Sequence, residues 1–185
     1  MQKWFSIIVF IFFSTLVYSQ GNEKLVEKVV INAKSLDNLK PIINILVQYP
    51  NIIEYIPSDI PIKEKYRISS PFGWRYHPID KVRKFHSGID MATSFASVVY
   101  ASASGVVKFA SPAQGYGNMI VIQHKYGFST YYCHLTKIYA KRNQKVKRGQ
   151  PIGFAGSTGK STGDHLHFEI RKNNKPINPT PKDHG

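Results

Sequence analysis

The sequence predicts a mainly β protein, with an antiparallel β-sheet core over residues 66–180 preceded by a short helical segment and linker over residues 20–65. Three observations carry that reading. Six runs have the apolar, β-branched and aromatic content of strands: SVVYAS (97–102), GVVKFA (105–110), NMIVIQH (118–124), FSTYYCHL (128–135), PIGFAG (151–156) and HLHFEIRK (165–172). Glycine-marked turns separate several of them, among them SPAQGYG, KYG and STGKSTGD. No helix-period segment alternates with these strands, which argues against a doubly wound parallel sheet. The 185 residues, 42% of them hydrophobic and 13% aromatic, suit one globular domain with a leader and exclude a disordered tail protein.

Along the chain, residues 1–19 read as a secretory signal peptide. Lys3 supplies the positive start, Trp4 to Tyr18 form an apolar run broken by Ser6, Ser14 and Thr15, and Ser19 precedes a place to cut. The run is short for a spanning helix, which needs roughly 20 apolar residues. Export to the periplasm, cell envelope or exterior follows, with membrane contact only if the leader stays uncleaved. Helix-like apolar spacing then predicts two short helices, Glu23 to Asn32 and Leu36 to Gln48, with Ser35 as N-cap and Pro41 as a break or an early helical turn. The Pro-rich stretch IPSDIPIKEKYRISSPFGW reads as a linker that enters the β domain near Tyr66. Residues 181–185 form a tail.

The formal charge is +14, and removing the leader takes away only Lys3 to leave +13. Such a balance points to polyanionic surroundings or simply to solubility. Basic residues are scattered, apart from a cluster at KRNQKVKRG (141–149), and no zinc-finger, RNP-like or helix-turn-helix pattern is present. The expected partner is therefore an anionic cell envelope and not nucleic acid. Cys133 is the single cysteine, so no internal disulfide forms. Strand alternation predicts that its thiol points into the core, away from the neighbouring His134, so it is not a nucleophile. GFAGSTGKST resembles a phosphate-binding loop but has Phe154 where the first glycine is required, and reads as a turn between strands.

The stretch STGDHLHFEI (161–170) holds the chemical signal. With a period of two, Leu166, Phe168 and Ile170 face one way, and His165, His167 and Glu169 face the other, toward water. Two further segments offer ligands: FHSGID sets His86 and Asp90 four apart, with Gly88 allowing a tight bend, and YYCHL ends a strand on His134. Zinc suits imidazole nitrogen and carboxylate oxygen, and a catalytic site keeps three protein ligands and one open position. Four histidines and an aspartate exceed three ligands. The surplus fits hydrolysis, which needs groups beside the metal to move protons and steady an oxyanion. No H-E-x-x-H helix is present, so histidine has to serve as the base.

In this order GWRYHPI…KFHSGID, YYCHL and GSTGKSTGDHLHFEI resemble the lysostaphin-type zinc metallopeptidases, over roughly Ile68 to Pro179. The resemblance implies an antiparallel β core with a loop-walled groove, and an endopeptidase acting on peptidoglycan stem peptides or cross-links. It implies one zinc per chain on His86, Asp90 and His167, with His134 and His165 as the catalytic pair. The members of the family that lack ligands and regulate other wall hydrolases are one alternative, and a secreted peptidase for protein substrates is another. The remaining histidines carry less: His124 reads as a strand-end residue, His184 lies in the tail, and His77 either lines the groove or packs beside Pro78. Glu169 reads equally as an acceptor that orients a histidine or as an ordinary strand residue. Two departures concern loops: Asp164 stands where many members carry proline, and ATSFASVVYA lacks a common Gly-Thr-Pro turn.

Overall fold

The computed structural model describes residues 21–76 and 79–180. The expected signal peptide over 1–19, His77, and the 181–185 tail with His184 lie outside the described residues. Among the described residues no helix is long and apolar enough to cross a membrane.

Strands are numbered along the chain. The main sheet places β1 (Arg67–Ser70), β4 (Ile89–Ala92), β12 (His165–Lys172), β8 (Phe128–Leu135), β7 (Gly117–Gln123), β6 (Gly105–Ala113) and β10 (Lys145–Val146) side by side in that order, with β13 (Lys175–Ile177) also on β12. A small second sheet joins β5 (Val98–Tyr100), β11 (Pro151–Phe154) and β9 (Lys137–Ile138), and β2 (Gly73–Tyr76) pairs with β3 (Arg83–His86) as a hairpin. These pairings are antiparallel. The six strand runs read from the sequence all form, and β12 covers its predicted run end to end. Leu166, Phe168 and Ile170 of β12 join Ile120, Ile122 and Tyr132 in the core, as the alternation requires.

The strands that carried no sequence signal are short, two to four residues each. β1 lies inside the stretch read as linker; its side chains are mostly exposed, and it holds to β4 through backbone bonds, so no apolar period marks it. The linker itself is packed: Ile56 and Ile62 are buried, and Ile62 bridges to Val99.

The first helix, α1, covers 21–32 of the described residues and buries Val26 and Val30 on one face, with Ala33 buried just past its end. The second predicted helix does not form as one piece. A 3₁₀ turn spans Asp37–Ile42 with Pro41 inside it, a single turn α2 follows over Ile43–Leu46, and α3 covers Pro50–Ile53 with Pro50 at its start. Pro41 has no N–H to give, which favours the break. Ser35 is not the cap: the side-chain oxygen of Asn38 accepts from the backbone N–H of Lys34 and Ser35 and from the Ser35 hydroxyl. Two cations lock this segment to the sheet. Lys172 donates to the carbonyl of Val30 near the end of α1 and to that of Tyr126 in the β7–β8 turn, and Arg148 donates to those of Ile53 and Ile56 at and after the end of α3.

Candidate metal centre and catalytic groove

Register brings the candidate ligands together. On β12, His165, His167, Glu169 and Arg171 share one face at steps of two. His167 stands opposite Asp90 of β4 on one side and Cys133 of β8 on the other. His86 ends β3, and the Ser87–Gly88 turn then lies directly against β12. A Cβ on Gly88 would stand 2.9 Å from Glu169 Cγ and closer still to the Phe168 carbonyl oxygen. Gly88 is thus required for closeness to β12, whereas the sequence suggested a bend; its φ is not in the left-handed region.

The polar face of β12 is not the wet face the alternation predicted. His167 is 6% exposed and Glu169 0%: the Ser87–Gly88 turn covers Glu169, and His86, Asp90 and Tyr116 stand around His167. A second departure lies on β8. His134 adopts φ 62, a left-handed conformation costly for a residue with a Cβ, and strand alternation fails there. That conformation is what brings the His134 ring to the candidate metal centre. Cys133, buried opposite His167 and one step from Tyr132, stands on the same face by regular alternation, so the thiol is not turned away from the site, contrary to expectation. Cys133 is nonetheless inert: burial pushes its thiol well above the usual value, and the Glu169 carboxylate adds to this.

Four imidazoles are oriented by the same device. A carbonyl or carboxylate oxygen can only accept, so the nitrogen facing it carries the proton. His86 gives its Nδ1–H to Pro71 O (2.8 Å), His134 to Thr158 O (2.8 Å) and His165 to Gly163 O (2.8 Å), while His167 gives its Nε2–H to Glu169 Oε1 (3.0 Å). With one proton so placed, the second nitrogen of each ring faces the other side. His86 Nε2 and His167 Nδ1 stand 3.0 Å apart, and Asp90 Oδ1 lies 3.1 Å and 2.8 Å from them. Three lone pairs meeting in a buried space require a positive charge between them. A proton is one answer: burial disfavours charge on His167, yet bonds to Asp90 and Glu169 outweigh it and raise the ring to about 8. Burial likewise works against the Asp90 anion, but bonds to His167 and His86 hold its carboxyl well below the usual range. A divalent metal is the other answer, and two imidazole nitrogens with one carboxylate oxygen form a zinc donor set. Arg75 pairs with the second oxygen, Asp90 Oδ2, at 3.2 Å.

His134 and His165 stand beside this cluster. Their ring centroids are 4.7 Å apart, and His165 Nε2 is 3.9 Å from Asp90 Oδ1. Burial lowers His134 to about 4, only partly countered by the Thr158 carbonyl, so its ring is neutral near pH 7 with Nε2 left as acceptor. The cluster opens into a cavity of about 250 Å³, walled by Lys84 and Phe85 of the hairpin, Tyr116, and Lys160 and Ser161 of the turn before β12. A second hollow of about 560 Å³, reached by Arg67, Tyr76 and Asp164, shares Arg75, Asp90 and His165 with it. Together they make a groove that passes the centre between loops.

All five residues singled out from the sequence, His86, Asp90, His134, His165 and His167, thus gather at one place. His124 does not: it is buried with its nitrogens on Ser104 O and Thr130 Oγ1, a structural role. Arg75, Tyr116 and Arg171 were not read from the sequence. Arg171 had a signal, being two steps past Glu169 on β12, whereas Arg75 and Tyr116 arrive from loops and a hairpin with no period to betray them.

The family model described as "Peptidase family M23" matches residues 84–179. The chain is 49% identical over 113 residues to DD-carboxypeptidase/endopeptidase Mpg of Neisseria meningitidis, covering 61% of this chain and 26% of that protein. It is 44% identical over 119 residues to peptidoglycan DD-endopeptidase ShyA of Vibrio cholerae, covering 64% and 28%. Among solved structures, a zinc-containing peptidase from Vibrio cholerae aligns at TM-score 0.62 with 40% identity, over 66% of this chain and 39% of that one. The catalytic domain of lysostaphin from Staphylococcus simulans aligns at TM-score 0.56 with 32% identity, over 62% and 89%. The chain spans about a quarter of the length of these curated relatives. Zinc, the metal in the first of those structures, is the metal the donor set here suits. With a convergent donor set, a β groove and a matching model over more than half its length, the chain belongs to peptidase family M23.

Proposed function

We propose that this chain is an exported zinc endopeptidase that hydrolyses peptide bonds in bacterial peptidoglycan stem peptides or cross-links. The observation that carries the reading is the inward turn of four imidazoles around Asp90 in an open groove, three donors for a metal and two rings to spare. His86, Asp90 and His167 are the proposed zinc ligands. Zinc bound there supplies Lewis-acid polarisation and lowers the pKa of water. His134 is the proposed base. Its Nδ1–H is anchored on Thr158 and its Nε2 is free, so it accepts a proton from the attacking water. A ring that burial holds near 4 gives that proton up readily, and the departing amine receives it. His165, anchored on Gly163, draws a proton from solvent at Nε2, steadies the developing oxyanion with it, and returns it to solvent as the carbonyl re-forms. The names of Mpg and ShyA point to the DD bond of peptidoglycan as the one cut. The +14 charge supports residence in an anionic envelope.

Residues 20–65 are proposed as a structural support for the β domain of residues 66–180. Among the described residues, none of 21–60 lines either hollow of the groove, and this segment sends Val30, Leu46 and Ile52 into the shared core.

Digestion of purified sacculi, with and without a chelator, tests the function. Chelator-sensitive release of peptide fragments, read by mass spectrometry, is expected and identifies the bond cut. Saturable binding to sacculi with zinc loaded and no release would overturn the reading in favour of a non-catalytic wall binder.

A further inference from the structure

Glu169 follows His167 by two residues on the same face of β12 and is fully buried. A carboxylate in that position requires partners for both oxygens. Oε1 accepts the Ser87 hydroxyl at 2.5 Å and the His167 Nε2–H at 3.0 Å. Oε2 accepts Arg171 Nε at 2.8 Å, and the Arg171 Nη2 group adds a second contact at 2.7 Å. Arg171 Cζ in turn lies over the ring of Tyr131, 4.1 Å from its centroid, and Tyr131 is the residue of β8 opposite Glu169.

Two consequences follow for the ligands. A neutral imidazole carries its proton on either nitrogen unless a partner selects one. Glu169 selects Nε2 and leaves the Nδ1 lone pair of His167 facing Asp90 and His86. Ser87 lies between the other two ligands in the chain, so its bond to the same oxygen ties the turn carrying His86 and Asp90 to the strand carrying His167. The fork of Arg171 occupies the far oxygen and keeps Glu169 an ionised acceptor.

We infer that Glu169 is the positioning residue of the metal centre: through His167 Nε2 and Ser87 Oγ it sets the geometry in which His86, Asp90 and His167 hold zinc. The inference rests on those three being the zinc ligands. Loss of a merely structural Glu169–Arg171 pair would lower the melting temperature and leave the zinc affinity of the folded protein alone. Loss of a positioning residue weakens zinc binding in the protein that does fold.

The test uses the full chain with zinc. Zinc dissociation constants are measured by competition with a chromophoric chelator, beside thermal melting of the zinc-free protein followed by circular dichroism. The ring N–H proton of His167 in the zinc-loaded protein is followed by NMR. Glu169→Gln is expected to weaken zinc binding on the order of 10- to 100-fold. Its His167 N–H signal should move upfield and exchange faster with solvent. Ser87→Ala, which removes one bond to the same oxygen and disturbs folding least, is expected to weaken zinc binding by a smaller factor at an unchanged melting temperature. Zinc affinity within twofold of the parent in folded Glu169→Gln overturns the inference; should that variant not fold, the same result in Ser87→Ala overturns it. His167→Ala separates the two levels. If it loses zinc while Glu169→Gln keeps it, only this inference falls; if His167→Ala itself keeps zinc, the ligand set falls with it.

Discussion

Gly88→Ala is the smallest change that should disassemble the centre. The added methyl would meet backbone: it falls within the 3.0 Å that real Cβ atoms essentially never breach, both at the Phe168 carbonyl and at Glu169 Cγ, 2.9 Å away. Neither neighbour can swing aside, since Phe168 belongs to the middle of β12 and Glu169 is held on both oxygens. The turn must therefore retreat, taking His86 and Asp90 with it. Overpacking of this kind costs about 1–3 kcal/mol. For a domain of this size that lowers the melting temperature by about 2–12 °C. The functional loss should be larger, because a site is built to a tolerance of about 0.5 Å and a misplacement of about 1 Å costs on the order of 100-fold in turnover. Melting by circular dichroism and zinc titration against a chelator read the two effects separately. A variant with the parental melting temperature and zinc affinity within threefold would refute the claim that closeness to β12 sets the ligand geometry.

Other predictions follow from burial. His124 is held near 4 by burial, against an ordinary 6.5. The unfolded chain binds the extra proton between those values, so stability contributed by the neutral ring is complete above pH 6.5 and is lost as pH falls toward 4, amounting to about 3 kcal/mol. His124→Gln should flatten the pH dependence of urea midpoints between pH 6.5 and 4, and a midpoint curve parallel to the parent would contradict this. A version of the chain starting at Ile60 discards the buried side chains of Val26, Val30, Leu36, Leu39, Leu46, Ile52 and Ile56. At about 1.5–3 kcal/mol each, even a fraction of that sum rivals the 5–15 kcal/mol stability typical of a domain. It should melt far lower and cleave no faster than the full chain; faster cleavage would show that the segment restrains the enzyme.

The parts of this protein that were legible in its sequence are those where a short period dictates a face. The alternation in HLHFEIRK fixed which residues of β12 enter the core, and the segments FHSGID and HLHF, through the family resemblance, pointed to the proposed ligands that register brings together. What was not legible depends on contacts that no period encodes. Burial of Glu169 comes from a turn laid over β12 from elsewhere in the chain, so a residue that reads as solvent-facing is enclosed. The left-handed backbone at His134 breaks alternation at one residue, which is why its ring joins the face that Cys133 already occupies instead of pointing the opposite way. The β2–β3 hairpin, with its exposed Trp74 and Tyr76, has no apolar stripe to announce it, yet it delivers Arg75 to Asp90. In the helical segment, Pro41 gave the right warning but could not say that a 3₁₀ turn would replace the helix.

The central claim is that the metal is held by one set of residues and the protons are moved by another. Peptide release from sacculi by His134→Ala, loaded to one zinc per chain, tests it most directly. The account predicts that this variant keeps its zinc and loses release by roughly 10²- to 10⁴-fold, the usual contribution of a general base. Release at the parental rate with zinc in place would contradict it.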